Sequence, residues 1–266
     1  MQLFFGFLFA ILIAYSAYRA HSLSQSGAFA AALVGTIVLG LGGWQWAILL
    51  LAFFVSSSLL THAFKNRKQG LDEKFSKGGE RDAGQVLGNG AVAAVFVLLH
   101  AIFPASSWTW IGFSASLAAV NADTWATELG VLNPTPPRLI TDLRKRVQKG
   151  TSGGVSLFGT FAALFGSALI ALLATLFSPT GGWLLFSLIT MSGLLGSLFD
   201  SLLGASVQAI YLCPADNQET EKHPLHSCGT PTVRIRGWKW LNNDWVNFMC
   251  GLGGVVFAQS LYAIFF

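Results

Sequence analysis

The sequence predicts an all-α polytopic membrane bundle of about eight transmembrane helices, and three observations carry that expectation. Of the 266 residues, 53% are hydrophobic and only 11% charged, where a soluble domain holds about 25% charged residues. The apolar residues fall in runs of roughly 18 or more, the length that crosses about 30 Å of hydrocarbon. These runs do not alternate as barrel strands do, so the spanning elements are helices. The 29 glycines suit close helix contacts, within one chain or between copies, which leaves an oligomer open.

The spans read near residues 3–18, 27–42, 44–62, 86–104, 107–131, 154–177, 183–211 and 244–265, in a single integral membrane domain covering 1–266. No basic residue precedes the first run, so an uncleaved helix is the stronger reading over a signal peptide. Arg19 follows span one. Lys65, Arg67, Lys68, Lys74, Lys77 and Arg81 lie between spans three and four. Arg138, Arg144, Lys145, Arg146 and Lys149 lie between five and six, and Lys222, Arg234, Arg236 and Lys239 between seven and eight. Eight spans put all of them on one side, which the positive-inside rule makes cytoplasmic. Loops 63–85, 132–153 and 212–243 then face the cytoplasm, and both termini face out. The expected location is the inner cell membrane.

Span two starts in "SGAFAAALVGT", which weakly echoes "SGGVSLFGT" before span six; diverged duplication and chance explain it equally well. Span four opens "RDAGQVLGNG", with Arg81, Gln85, Gly88 and Asn89 on one face. Span five ends in "NADTWATELG". There Asn121, Thr124 and Glu128 share a face while Asp123 and Thr127 lie about 140° away. The helix is either polar on two sides or broken. Span seven carries Gly193, Gly196, Ser197, Asp200, Gly204 and Gln208 on one stripe at about 100° per residue. Span eight groups Asn243, Asn247, Gly251 and Gly254, with Asp244 beside them. An N-cap role covers Asn243 or Asp244 alone, but not Asn247 or Asn89.

A carboxylate inside hydrocarbon costs about 3 kcal/mol on insertion scales and is functional by default. Asp123, Glu128 and Asp200 all fall in the cytoplasmic part of their spans, with Asn89, Asn243 and Asp244 at the same level. A carrier would place polar groups at the midplane or through the whole depth. The one-sided level suits an enzyme meeting soluble substrate at the interface. The loop "RLITDLRKRVQKGTSGGVSLFGT" adds Arg144 and Lys149 ahead of Thr151, Gly153, Gly154 and Ser156 at a helix start, where free N–H groups favour anions. A positive-inside loop with an ordinary Ser cap explains that segment alone nearly as well. Acids and an anion site coexist when magnesium bridges carboxylate to phosphate. Cys213, His223, His226 and Cys228 could bind zinc, but they lack a CxxC pair, so solvated loop residues are the stronger reading.

"NADTWATELG", "GTSGGVSLFGT", "GSLFDSLLGASVQ" and "NNDWVN" together resemble the integral-membrane family called domain of unknown function ninety-two. "RDAGQVLGNG" and "LSQSGAFAAALVG" are similar to it as well, and the likeness runs from about residue 20 to the C-terminus. That family includes phytyl-phosphate kinases and is distantly similar to the CTP-dependent phytol and dolichol kinases and to CDP-diacylglycerol synthases. The resemblance implies phosphoryl transfer from a nucleoside triphosphate, CTP foremost, to an isoprenyl monophosphate such as phytyl phosphate. It implies no nucleic-acid partner. In the resulting reading Asp123, Asp200 and Glu128, with Asp244, hold magnesium. Lys149 and the Gly153–Gly154 turn cradle phosphates, and Arg81 or Arg144 neutralises the transferred group. Asn89, Asn121, Thr127, Thr151, Ser156, Ser197, Gly204, Gln208, Asn243 and Asn247 bind or orient substrate. The rivals are a transporter or lipid flippase, which a polar path to the outer face would favour, and a cytidylyltransferase, which would release pyrophosphate instead of CDP.

Overall fold

In a computed structural model, residues 1–64, 79–178 and 181–265 are described; Lys65, Arg67, Lys68, Lys74 and Lys77 of the basic pattern lie outside them. The helices are α1 (Gln2–Arg19), α2 (Gln25–Ile37), α3 (Trp44–Ala63), α4 (Ala83–Ile102), α5 (Ser107–Gly130), α6 (Leu157–Leu176), α7 (Trp183–Ser206) and α8 (Asn243–Phe265). A π-helical segment, Val38–Gly42, extends α2. The predicted helical bundle is therefore present. Among the described residues seven helices are long and apolar enough to cross a membrane.

The eighth, α5, falls short of that hydropathy because its last turns are polar, and its position explains why this is tolerated. It packs against α3, α4, α6, α7 and α8, and every residue from Ile111 to Ala122 is buried. A helix surrounded by other helices need not be apolar towards lipid. It also stays helical through Gly130, so of the two readings of span five the two-sided polar helix is the correct one.

Close packing on α5 depends on missing side chains. A methyl on Gly193 of α7 would lie 2.1 Å from Ser167 Oγ and 2.8 Å from Ala118 Cβ. One on Gly196 would lie 2.6 Å from Ala119 Cβ, and one on Gly254 of α8 would lie 2.7 Å from the same atom. Backbones of α5, α7 and α8 thus meet through small residues, as packing inside a bilayer favours. At the end of the bundle away from the larger loops, Trp46, Trp110 and Phe113 form an aromatic cluster, with ring centroids 4.7–4.9 Å from Trp46.

Spans six and seven differ from expectation at their loop ends, and both of these differences come from short strands. Strands β1 (Arg138–Leu139), β2 (Asp142–Arg146) and β3 (Gly154–Val155) form an antiparallel sheet in the order β2-β1-β3. Pairing of Val155 with Arg138 holds Gly154–Val155 out of the helix. Helix α6 therefore starts at Leu157 rather than 154, with Ser156 Oγ accepting from Gly159 N at 3.1 Å. Strands β4 (Ile210–Cys213), β5 (Gln218–Thr220) and β6 (Val233–Arg236) form a second sheet, ordered β5-β4-β6. The run "IYLC" reads as more helix, yet α7 ends at Ser206. There Arg236 donates to the carbonyls of Ala205 and Gly204 at 2.9 and 3.0 Å. Loops 132–153 and 212–243 are consequently partly sheet.

If these glycine contacts set the helix spacing, Gly196→Ala should destabilise by about 1–3 kcal/mol through overpacking, seen as a lower Tm in detergent. Gly182→Ala, where a methyl meets nothing within 4 Å, should leave Tm unchanged.

Candidate active site

The described parts of the three larger loops and the adjoining ends of the helices line a cavity of about 900 Å³. Most of the polar residues singled out in the sequence line it: Asp123, Thr127 and Glu128 from α5, Ser197 and Asp200 from α7, Asn89 from α4, and Asn243 and Asn247 from α8. Arg81, Lys149, Thr151, Gly153, Gly154, Ser156 and Gln208 reach it from the connections.

Part of its lining is acidic. Ser197 hydrogen-bonds the Asp123 carboxyl group, which ties α7 to α5 at the cavity. Asp200 is close enough to Asp123 and Glu221 to be repelled by both. Among the described residues Asp200 Oδ2 is buried without a hydrogen-bond partner. Glu221, which follows β5, was missed in the sequence. Its Oε1 accepts from Gln208 Nε2 at 2.7 Å and from Ser152 Oγ at 2.9 Å. The only sequence signal for it is proximity: Gln208 ends the α7 stripe and Ser152 flanks the glycine turn. Such a cluster of acids around an unsatisfied oxygen demands positive charge, and a hard divalent cation with oxygen ligands fits it.

Cations line the same cavity. Lys149 donates to Val131 O at 3.0 Å and lines the cavity. Lys222, also missed, is there as well. Arg81 is fixed by its backbone, whose N–H donates to Ser22 O while its C=O accepts from Ser24 N. Its guanidinium lies 5.7 Å from the ring centres of both Phe53 and Phe54. Burial lowers its pKa to about 10, and the nearby Glu128 works against that fall. Glu128 in turn accepts from Thr61 Oγ1 of α3 at 2.9 Å, so it belongs with Arg81 more than with the Asp123–Asp200 pair.

A second cavity, of about 110 Å³, opens on the other side of Arg81. Its walls are apolar residues of α1, α2 and α3, among them Ile13, Ala31, Leu50 and Phe54. Arg81, Gln85 and Asn89 line both cavities. A polar chamber and a greasy crevice therefore share one cationic boundary.

The cradle between them is built by turns and caps. Asp82 caps α4, accepting from Gln85 N at 3.0 Å, while Gln85 Oε1 accepts from Asp82 N at 3.2 Å. Asn242, not Asn243 or Asp244, caps α8, accepting from Trp245 N at 3.2 Å; this leaves Asn243 to face the cavity. Gly153 has φ +81°, and a side chain there would strike Ala205 at 2.4 Å. Its glycine is thus required by both conformation and contact.

Four residues expected at the site lie elsewhere. Asn121 is fully buried and staples helices, donating to Gly166 O at 2.7 Å and accepting from Ser56 Oγ at 3.2 Å. Arg144 is exposed on β2. Gly204 lies under the Ser152–Gly153 turn. Asp244 is set behind Asn243, where its carbonyl meets Gly88.

The likeness to known proteins covers most of the chain. Residues 8–255 match the model of the family described as integral membrane protein DUF92. Protein PGR of Arabidopsis thaliana is 35% identical over 271 positions, spanning 93% of this chain and 92% of that protein. An uncharacterized membrane protein of Methanocaldococcus jannaschii is 35% identical, over 77% of this chain and 83% of its own. Protein VTE6, chloroplastic, of Arabidopsis thaliana is 29% identical, over 88% of this chain and 64% of its own. No solved structure matches. With a multi-pass bundle, a match over nearly its whole length and these relatives, the chain belongs to the integral membrane DUF92 family.

Proposed function

We propose that the protein is a kinase of the membrane interface, transferring the γ-phosphoryl group of a nucleoside triphosphate, CTP foremost, to an isoprenyl monophosphate. The observation that carries this reading is the boundary at Arg81, where a charged chamber sized for a triphosphate adjoins an apolar crevice. An amphiphilic acceptor fits that boundary, with its phosphate at Arg81 and its tail among α1, α2 and α3. The chamber faces the cytoplasm in this proposal, as the basic loops favour.

Asp123 and Asp200, with Glu221 beside them, are the residues to hold magnesium on the donor. Bound magnesium supplies neutralising charge to the triphosphate oxygens. Ser197 keeps Asp123 pointed at the chamber. Lys149, Lys222 and the Gly153–Gly154 turn are placed to contact donor phosphates. Glu128 and Thr61 hold Arg81 in position. The acceptor oxygen is already ionised near neutral pH, so it attacks the γ-phosphorus without a strong base. A new P–O bond forms, the bond from the γ-phosphorus to the β,γ-bridging oxygen breaks, and CDP leaves. Positioning and charge neutralisation then dominate the catalysis.

The test uses purified protein in detergent with magnesium, γ-labelled CTP and a panel of isoprenyl monophosphates. Label should appear in an isoprenyl diphosphate. Asp123→Asn and Asp200→Asn should each lose roughly 100-fold or more while keeping the wild-type Tm. Release of pyrophosphate with the nucleotide attached to lipid would replace this reading with cytidylyl transfer. No transfer from any nucleotide would refute it.

The crevice makes a separate prediction. Ala31→Phe should reduce kcat/KM for a long acceptor by about 10-fold or more and leave a short-chain acceptor nearly unaffected. Equal losses for both would remove the crevice from the acceptor site.

A further inference from the structure

The second sheet carries a group of side chains that the phosphate chemistry does not use. Cys213 ends β4 and is fully buried. Its Sγ lies 3.6 Å from Cys228 Sγ, and Cys228 Sγ lies 3.3 Å from His226 Nδ1. The potential ligand atoms of these three residues all fall within 4.8 Å of one another. His226 Nδ1 is also 3.6 Å from Asp216 Oδ2. Three candidate ligands from two turns thus converge, with the Asp216 carboxylate beside His226.

The spacings can be compared with those a tetrahedral ion imposes. Zinc bonds of about 2.3 Å to sulfur and 2.0–2.1 Å to nitrogen give tetrahedron edges of about 3.8 Å between sulfurs and about 3.5 Å between sulfur and nitrogen. The observed 3.6 and 3.3 Å lie close to these. A disulfide would need the sulfurs at about 2.05 Å. The backbone sets both turns independently of any ion. Asn217 N donates to Cys213 O at 2.9 Å, and Asp216 Oδ1 accepts from Gln218 N at 3.0 Å. In the second turn His226 N donates to Thr230 O and Gly229 N to His226 O, each at 2.9 Å.

We propose that Cys213, Asp216, His226 and Cys228 form a zinc site that closes the hairpin of the last loop. His223, one of the candidates from sequence, is not a ligand: its ring stacks on Tyr211 with centroids 4.4 Å apart. Asp216 takes the fourth place, so the pairs are Cys-x-x-Asp and His-x-Cys rather than Cys-x-x-Cys. Zinc takes carboxylate oxygen as well as sulfur and nitrogen. Binding replaces the two thiol protons, which go to solvent. Glu221 and Lys222 lie between the two ligand pairs and line the large cavity. The ion therefore fixes the strap that carries them, acting as a structural clasp.

The test measures metal, not turnover, so it stands or falls apart from the kinase reading. Untagged protein, purified under reducing conditions without chelator, should contain about one zinc per chain, as a four-ligand structural site does. Zinc-edge X-ray absorption of the wild type should show two sulfur ligands with nitrogen and oxygen, and requires no variant to fold. Cobalt added to chelator-stripped protein should give a thiolate charge-transfer band. That band should be lost in Cys228→Ser, weakened in Asp216→Asn and retained in His223→Ala and Cys250→Ser. Wild-type protein that takes up neither zinc nor cobalt would overturn the proposal. So would a Cys213–Cys228 disulfide in protein alkylated straight from membranes, or zinc unchanged in the Cys213→Ser, Cys228→Ser double variant.

Discussion

The structure depends on the need to place a polar helix in the middle of a membrane bundle. Helix α5 carries Asn121, Asp123 and Glu128, and exposing any of them to lipid would cost several kcal/mol. Each is answered by a different neighbour. Asn121 bonds α3 through Ser56 and α6 through Gly166, Glu128 accepts from Thr61 of α3, and Asp123 meets Ser197 of α7. Those bonds require the neighbours' backbones to come close, and Gly166, Gly193, Gly196 and Gly254 permit it. Wrapping α5 thus selects which helices surround it and where they carry small residues.

The same wrapping makes the molecule asymmetric along the axis of α5. Its first three turns are enclosed by apolar side chains and by the Trp46–Trp110–Phe113 cluster. Its last turns open onto the chamber. Inside the chamber the acids of α5 and α7 face cations contributed by loops. In a partly buried setting such charges interact more strongly than in bulk water; in the proposed reading a triphosphate with its divalent ion answers both signs. The two ends of α5 thus differ in kind, an aromatic cluster at one and a charged chamber at the other.

Much of this was legible because membrane helices write their environment with a long period. The α7 stripe is visible at 3.6-residue spacing, and its members do two jobs: Gly193 and Gly196 pack while Ser197, Asp200 and Gln208 face the chamber or its floor. The strands were not legible. Runs of two to five residues give too few alternations to distinguish from loop, and "IYLC" is as apolar as the helix before it. Glu221 and Lys222 were hidden for the same reason, since only the β4–β5 pairing carries them back to the end of α7. Asn121 was assigned to the site because helical phase shows which face a residue shares, not whether that face meets a cavity or another helix. Arg144 was counted by charge, which says nothing about which side of a short strand it leaves from.

Arg81 shows how backbone, packing and charge are made to agree at one residue. It precedes α4, yet its main chain is pinned to the link between α1 and α2. A methyl on Gly27 would lie 2.0 Å from its carbonyl oxygen, so α2 is glycine where the two meet. The side chain then has an aromatic wall on one side and Glu128 on the other. A delocalised guanidinium tolerates that mixture because it stacks on rings and is weakly hydrated, whereas a lysine ammonium would hold its water. Its pKa falls only to about 10, so it remains a cation at neutral pH despite its burial. It thus stands as a fixed cation at the edge of an apolar crevice. In the proposed reading, the ligand that meets it is an anion attached to something greasy.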